Sequence, residues 1–140
     1  MNKPYAYYEH KKLKDFKELL TLNLGDKKDE VAFIFNNAQK EEIRKTYNDF
    51  NNDVRILSNY YKNKHIALIG ENSYNYLVLF FSIIISKNVA VLIDKDLSTD
   101  KIKELLKKSD SKIIYYSKNY CDLEVIEKKY KSYYIDDIDI

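Results

Sequence analysis

Lys64 to Asp94 reads KHIALIGENSYNYLVLFFSIIISKNVAVLID. Ile66 to Ile69 form a short apolar run, broken by Gly70, Glu71 and Asn72. Ser73 opens a strongly apolar segment that lasts to Ser86. Lys87-Asn88 interrupts it, and Val89 to Ile93 form a second apolar run. Two short runs flanking about four helical turns are the pattern of a strand, a crossover helix and a parallel strand. Strands apolar on both faces belong inside a sheet covered on both sides.

Upstream, Tyr47, Phe50, Val54, Leu57 and Tyr61 step by threes and fours, with Asn48, Asn51, Asn52, Arg55 and Asn59 off that stripe. The spacing predicts an amphipathic helix ended by Asn63-Lys64. Val31 to Phe35 reads as a strand, Asn36-Asn37 as a turn, and Glu42 to Thr46 as the return arm of a hairpin. Leu13, Phe16, Leu19 and Leu20 predict a helix over 13–23, with Gly25 placed as its C-terminal cap. Residues 1–12 (MNKPYAYYEHKK) form a polar arm without an apolar signal-sequence core.

Downstream, Asp94 to Leu97 is a polar loop. Ser98 or Thr99 caps a helix with Asp100 in its first turn, Lys107-Lys108 in its last, and a core face of Ile102, Leu105 and Leu106. Lys112 to Ser117 is a further strand. Asn119 caps a last helix with Leu123, Ile126 and Tyr130 inward, and Tyr133 to Ile135 is a final strand. Asp136, Asp137 and Asp139 read as a solvated acidic tail. Right-handed crossovers stack these strands in parallel. The expected fold class is α/β: three layers, a mostly parallel sheet with helices on both faces, and the N-terminal helix and hairpin at one edge or in a small accessory sheet. The expected division is an arm at 1–12 and a single α/β domain at 13–140.

Bulk properties narrow the function. At 140 residues the chain can bury a real core. Its net charge is +2 and its lysines are scattered, so no basic patch points to nucleic acid. The longest apolar run, Tyr76 to Ile85, contains Ser82 and falls short of the roughly 20 residues a membrane-spanning helix needs. Cys121 is the only cysteine, which excludes an intramolecular disulfide and fits a reducing, cytoplasmic location. The 14 tyrosines accompany abundant Asn, Lys and Ile, all with A/T-rich codons, and read as a compositional bias.

No catalytic constellation stands out. A phosphate-cradling loop needs several glycines, because backbone amides must approach the anion closely. This chain has two, Gly25 and Gly70, far apart. His10 and His65 are the only histidines and are widely separated, so neither a zinc site nor a Cys/His nucleophile is expected. In open parallel sheets, ligands bind beyond the carboxyl ends of the strands. Those ends carry Gly70-Glu71-Asn72-Ser73, Asp94-Lys95-Asp96 and Ser117-Lys118. Gly70, Glu71, Asn72 and Asp94 are therefore the candidate crevice residues. The bland reading beside it is that Asn72, Ser73 and Ser98 cap helices and Gly70 makes a turn. A phosphoacceptor receiver domain would use Asp94 and Lys118. It would also need an acidic pair after its first strand, where Phe35 is followed by Asn36-Asn37 and Ile69 by Gly70-Glu71-Asn72. That reading fits poorly.

Four stretches in order carry a family resemblance: KTYNDF at Lys45 to Phe50, GENSY at Gly70 to Tyr74, LIDKDLS at Leu92 to Ser98, and SDSKIIYYS at Ser109 to Ser117. Together they resemble the N-terminal part of adenylate-forming enzymes, with bacterial long-chain acyl-CoA synthetases the nearest group. The chain departs from that group at Lys87-Asn88, where a small Ala-Gly or Gly-Gly pair is usual, and at Ile93 or its neighbour, where a proline is usual. The resemblance implies a complete enzyme in which a fatty or other carboxylic acid attacks ATP to give acyl-adenylate and pyrophosphate. Coenzyme A then displaces AMP. Magnesium shields the phosphates. The family's phosphate loop, adenine-binding segment, magnesium-binding acid and C-terminal lysine lie downstream of the matched region. No catalytic, cofactor-binding or metal residue is carried over. The implied partner is the remainder of the synthetase, and the segment alone is expected to be inactive. The competing expectation is a stand-alone, non-catalytic interaction or regulatory module.

Overall fold

A computed structural model describes residues 11–119 and 129–140. The elements in order are α1 (Phe16–Thr21), β1 (Val31–Asn36), β2 (Glu42–Thr46), α2 (Tyr47–Leu57), β3 (His65–Ile69), α3 (Tyr74–Ile85), β4 (Val89–Ile93), α4 (Thr99–Lys108), β5 (Ile113–Tyr116) and β6 (Lys131–Tyr134). Four strands form one sheet in the order β4-β3-β5-β6. All of its neighbours run parallel, with Ile66 opposite Ala90 on one side and opposite Ile113 on the other.

The strand period of two assigns each side chain to a face. Ala67 and Ile69 of β3 bury against Ile102 and Leu106 of α4, together with Ile114 of β5 and Ile93 of β4. Ile66 and Leu68 point the other way and bury against Leu79 and Ile83 of α3. β3 is thus covered on both faces, which is why its sequence shows no polar alternation. Each fully buried Ile or Leu here contributes roughly 1.5–3 kcal/mol. β4 is an outer strand, and its Leu92 and Val89 stay 54% and 49% exposed.

The helices start and stop where the sequence places their signals. Ser73 Oγ accepts the Tyr76 amide at 3.1 Å and caps α3. Ser98 Oγ accepts the Lys101 amide and caps α4, with Asp100 in the first turn and Lys107 and Lys108 in the last. After α3, Lys87 takes a left-handed φ of 62°. Asn88 then ties the break down, donating to the Tyr61 carbonyl and accepting the Lys64 amide, both at 2.9 Å. A left-handed φ is the region glycine enters without strain, and Lys87 adopts it here with a side chain.

The hairpin stands as its own two-stranded antiparallel sheet and does not extend the main one. Phe33 and Phe35 pack on Phe50 of α2 and Tyr74 of α3, with Phe35 and Tyr74 stacked at 4.8 Å. Phe16 of α1 meets Phe80 and Phe81 edge-on.

Several expected details change. α1 covers Phe16–Thr21, shorter than 13–23, and Leu22 closes it in right-handed conformation. Gly25 lies three residues further on with a negative or extended φ, so it is not the cap. α2 ends at Leu57, before Tyr61. Asp136 is tied as well as solvated, since its carboxylate accepts the Lys118 amide at 2.8 Å. Most of the polar arm, including His10, and most of the expected last helix, including Cys121, Leu123 and Ile126, lie outside the described residues.

The start of α2 yields a test. Thr46 Oγ1 accepts the Asp49 amide at 3.1 Å, while the Thr46 amide and hydroxyl both donate to Asp49 Oδ2 at 2.8 Å. Thr46→Ala removes the hydroxyl half of this reciprocal cap and is expected to lower stability by about 1 kcal/mol. The same bonds from Thr46 hold the Asp49 carboxyl below its ordinary value of 3.8. A folded-state pKa below the unfolded one stabilises above about pH 4 and loses that stabilisation as pH falls through the folded value. Urea midpoints of wild type and Thr46→Ala should therefore draw together towards acid. A difference that stays constant into acid would refute the role given to the carboxylate.

Candidate functional site

The crevice residues sit where β3 and β4 end. Parallel pairing of Ile69 with Ile93 brings the two following loops side by side. Gly70, Glu71, Asn72, Asp94 and Lys95 then line one open cavity of about 450 Å³, with Tyr76 and Leu92. Asp94 shapes its own turn, with Oδ1 accepting the Asp96 amide at 2.9 Å. Lys95 lies 2.8 Å from Asp96 and 3.7 Å from Glu71. Asp96 first, and Glu71 with it, pushes the Lys95 pKa above the ordinary lysine value.

The third strand end does not join them. Ser117 folds over the end of β3, its Oγ accepting the Glu71 amide at 3.0 Å. The space above Gly70 is filled: a Cβ there would lie 2.3 Å from Ser117 Oγ and 3.0 Å from Ile135 Cδ1. Gly70 is glycine because two strand ends close on it, and its φ is not positive. Lys118 turns away to Asp137, which raises its pKa. Asp94 lines the crevice, whereas Lys118 pairs with Asp137 and is not among the crevice residues, an arrangement unlike the Asp94-Lys118 pairing a receiver site would use.

Among the described residues, two carboxylates and one paired ammonium line the crevice. That lining does not suit nucleotide phosphates, which need converging amides and net positive charge. Among the described residues, no group of three or more His, Cys, Asp and Glu is placed to hold a metal ion. The chain's residues therefore do not fit ATP-magnesium at this position.

A larger cleft, about 560 Å³, lies across the α3 side of β5 and β6. Tyr115 and Tyr133 occupy matched positions on these strands and stack at 5.2 Å. The Tyr115 hydroxyl lies 3.5 Å from that of Tyr61. Burial, then hydrogen bonds with Tyr115 and Tyr133, pushes the Tyr61 phenol up. Burial likewise raises Tyr115, and raises Tyr116 to about 12. Sequence reasoning missed this cluster because the tyrosines looked compositional. The usable signal was Tyr115 and Tyr133 at equivalent places in two adjacent parallel strands.

His65 stands apart from the crevice, its Nδ1 lying 2.5 Å from the Ser109 carbonyl. No helix among the described residues is long and apolar enough to cross a membrane.

The sequence profile of the family described as AMP-binding enzyme matches residues 21–136. The chain belongs to that family. Solved structures agree on the fold. A putative long-chain-fatty-acid CoA ligase from Rhodopseudomonas palustris CGA009 superposes with a TM-score of 0.73 at 16% identity, over 89% of this chain and 33% of that one. O-succinylbenzoate coenzyme A synthetase from Bacillus subtilis, in complex with AMP, gives 0.69 at 15% identity, over 84% and 31%. A fatty acid AMP ligase from Legionella pneumophila gives 0.66 at 11% identity, over 91% and 24%. No curated protein matches. The chain thus spans about a quarter to a third of these structures. As an AMP-binding family segment it has the expected parallel sheet, helices on both faces and accessory hairpin.

Proposed function

We propose that residues 13–140 are scaffold from the large N-terminal domain of a cytoplasmic, AMP-forming acyl-CoA synthetase that activates a fatty acid. The observation that carries this reading is the unbroken family match over 21–136 in a chain that spans only 24% to 33% of the ligases it resembles. The complete enzyme would use ATP, magnesium and coenzyme A. The segment's part is to supply the covered sheet and the packed hairpin on which the remainder of the enzyme is built. The substrate class draws support from the fatty-acid ligases among the structural relatives.

ATP–pyrophosphate exchange with palmitate and magnesium tests the proposal. The 140-residue chain is expected to give no exchange above the protein-free blank. Measurable turnover by this chain alone would overturn it. A protein encoded by an in-frame continuation of the gene is expected to exchange with long-chain acids in preference to benzoate-type acids.

A further inference from the structure

The tyrosine-lined cleft opens on the α3 side of β5 and β6, and its chemistry selects a ligand. Its floor is the apolar pair Leu79 and Ile83 of α3, and its wall is Tyr61, Tyr115 and Tyr133. Asp137 and Asp139 stand in its lining, and among the described residues no lysine or arginine lines it. A volume near 560 Å³ is that of a small-molecule site. Aromatic faces and a carboxylate together attract an organic cation and repel an anion of the same shape.

The rim already shows this chemistry within the chain. Lys118 pairs with Asp137 and places its ammonium 5.7 Å from the centre of the Tyr134 ring. That pairing satisfies Asp137 and leaves Asp139 as the second carboxylate of the lining. The half-buried phenols of Tyr61 and Tyr115, whose hydroxyls lie 3.5 Å apart, are neutral at physiological pH like any tyrosine and bring no charge to compete with the carboxylate.

We propose that this cleft binds a small cationic amphiphile, an aryl- or alkylammonium whose apolar body lies along Tyr61, Tyr115 and Ile83 and whose ammonium meets Asp139.

The test is calorimetric titration of the 140-residue chain with 4-phenylbutylammonium and, separately, 4-phenylbutyrate. The ammonium is expected to bind one-to-one, and at least about tenfold tighter than the carboxylate. Asp139→Asn, on an exposed residue, is expected to remove most of that difference while the circular dichroism stays unchanged. Equal affinity for the two probes would overturn the proposal. So would the absence of ammonium binding up to about 10 mM, or an affinity indifferent to Asp139→Asn. Sedimentation gives an independent reading. A second copy occupying the cleft would appear as a dimer that the ammonium does not dissociate, and that too would overturn it.

Discussion

Replacing Asp53 with alanine is expected to cost about 3 kcal/mol and to loosen the hairpin from the helices beneath it. Asp53 Oδ2 accepts from Lys45 Nζ at 2.9 Å and from the Tyr74 hydroxyl at 2.6 Å. Lys45 comes from β2, Asp53 from α2 and Tyr74 from α3, so one oxygen joins three elements. The Asp53 and Lys45 side chains are only 12% and 21% exposed. Burial, then the bond to Asp53, raises the Tyr74 phenol pKa. Removing the carboxylate leaves a buried hydroxyl and a half-buried ammonium without their acceptor. Losing one partner of a fully buried pair costs about 3–5 kcal/mol, and the residual exposure of Lys45 places this case at the low end. Tyr74→Phe deletes a donor without stranding a charge and should cost only about 1 kcal/mol. Urea denaturation of both variants provides the comparison. An Asp53→Ala loss no larger than that of Tyr74→Phe would show that water, and not the fold, holds the carboxylate.

Gly70→Ala is expected to lower stability by about 2 kcal/mol. The added methyl would meet Ser117 Oγ at 2.3 Å, and Ser117 cannot rotate away without giving up the Glu71 amide. Ile135 Cδ1 at 3.0 Å closes the other side. The cost should shrink by about 1 kcal/mol in a Ser117→Ala background, where the clashing oxygen is gone. Additive effects of the two substitutions would show that the strand ends do not close on Gly70 as described.

The sheet was legible because its apolar runs are short, bounded by turn residues and separated by a capped helix. Ser73 and Ser98 announce α3 and α4 by their position before an apolar stripe, and both cap as read. Gly25 was misread because a glycine just after a helical stripe suggests a cap, whereas α1 closes at Leu22 without a left-handed residue. Tyr61 lies on the helical stripe by number but beyond the helix end. Its spacing still places it over the sheet, where it faces Tyr115. The hairpin's attachment could not be read locally. Phe33, Phe50 and Tyr74 are far apart in sequence and meet only once α2 has folded back on α3.

The crevice shows the same division. Gly70, Glu71, Asn72 and Asp94 share a cavity because parallel register puts Ile69 beside Ile93, which sequence order implies. Ser117 plugging the end of β3 depends on tertiary closeness, and no local pattern announces it. The tyrosine cleft was hidden by composition, since a residue type that is frequent everywhere carries little information at any one position.

The placement of β3 between β4 and β5 also sets a timetable for biosynthesis. β3, α3 and β4 are contiguous and can pair as soon as they leave the ribosome, whereas β5 must later cross to the opposite flank of β3. Until it arrives, Ile66 to Ile69 have an open side and an unclaimed row of backbone amides and carbonyls. A nascent chain paused before Ile113 should thus be far more dependent on holdase chaperones than one released after β5 has docked.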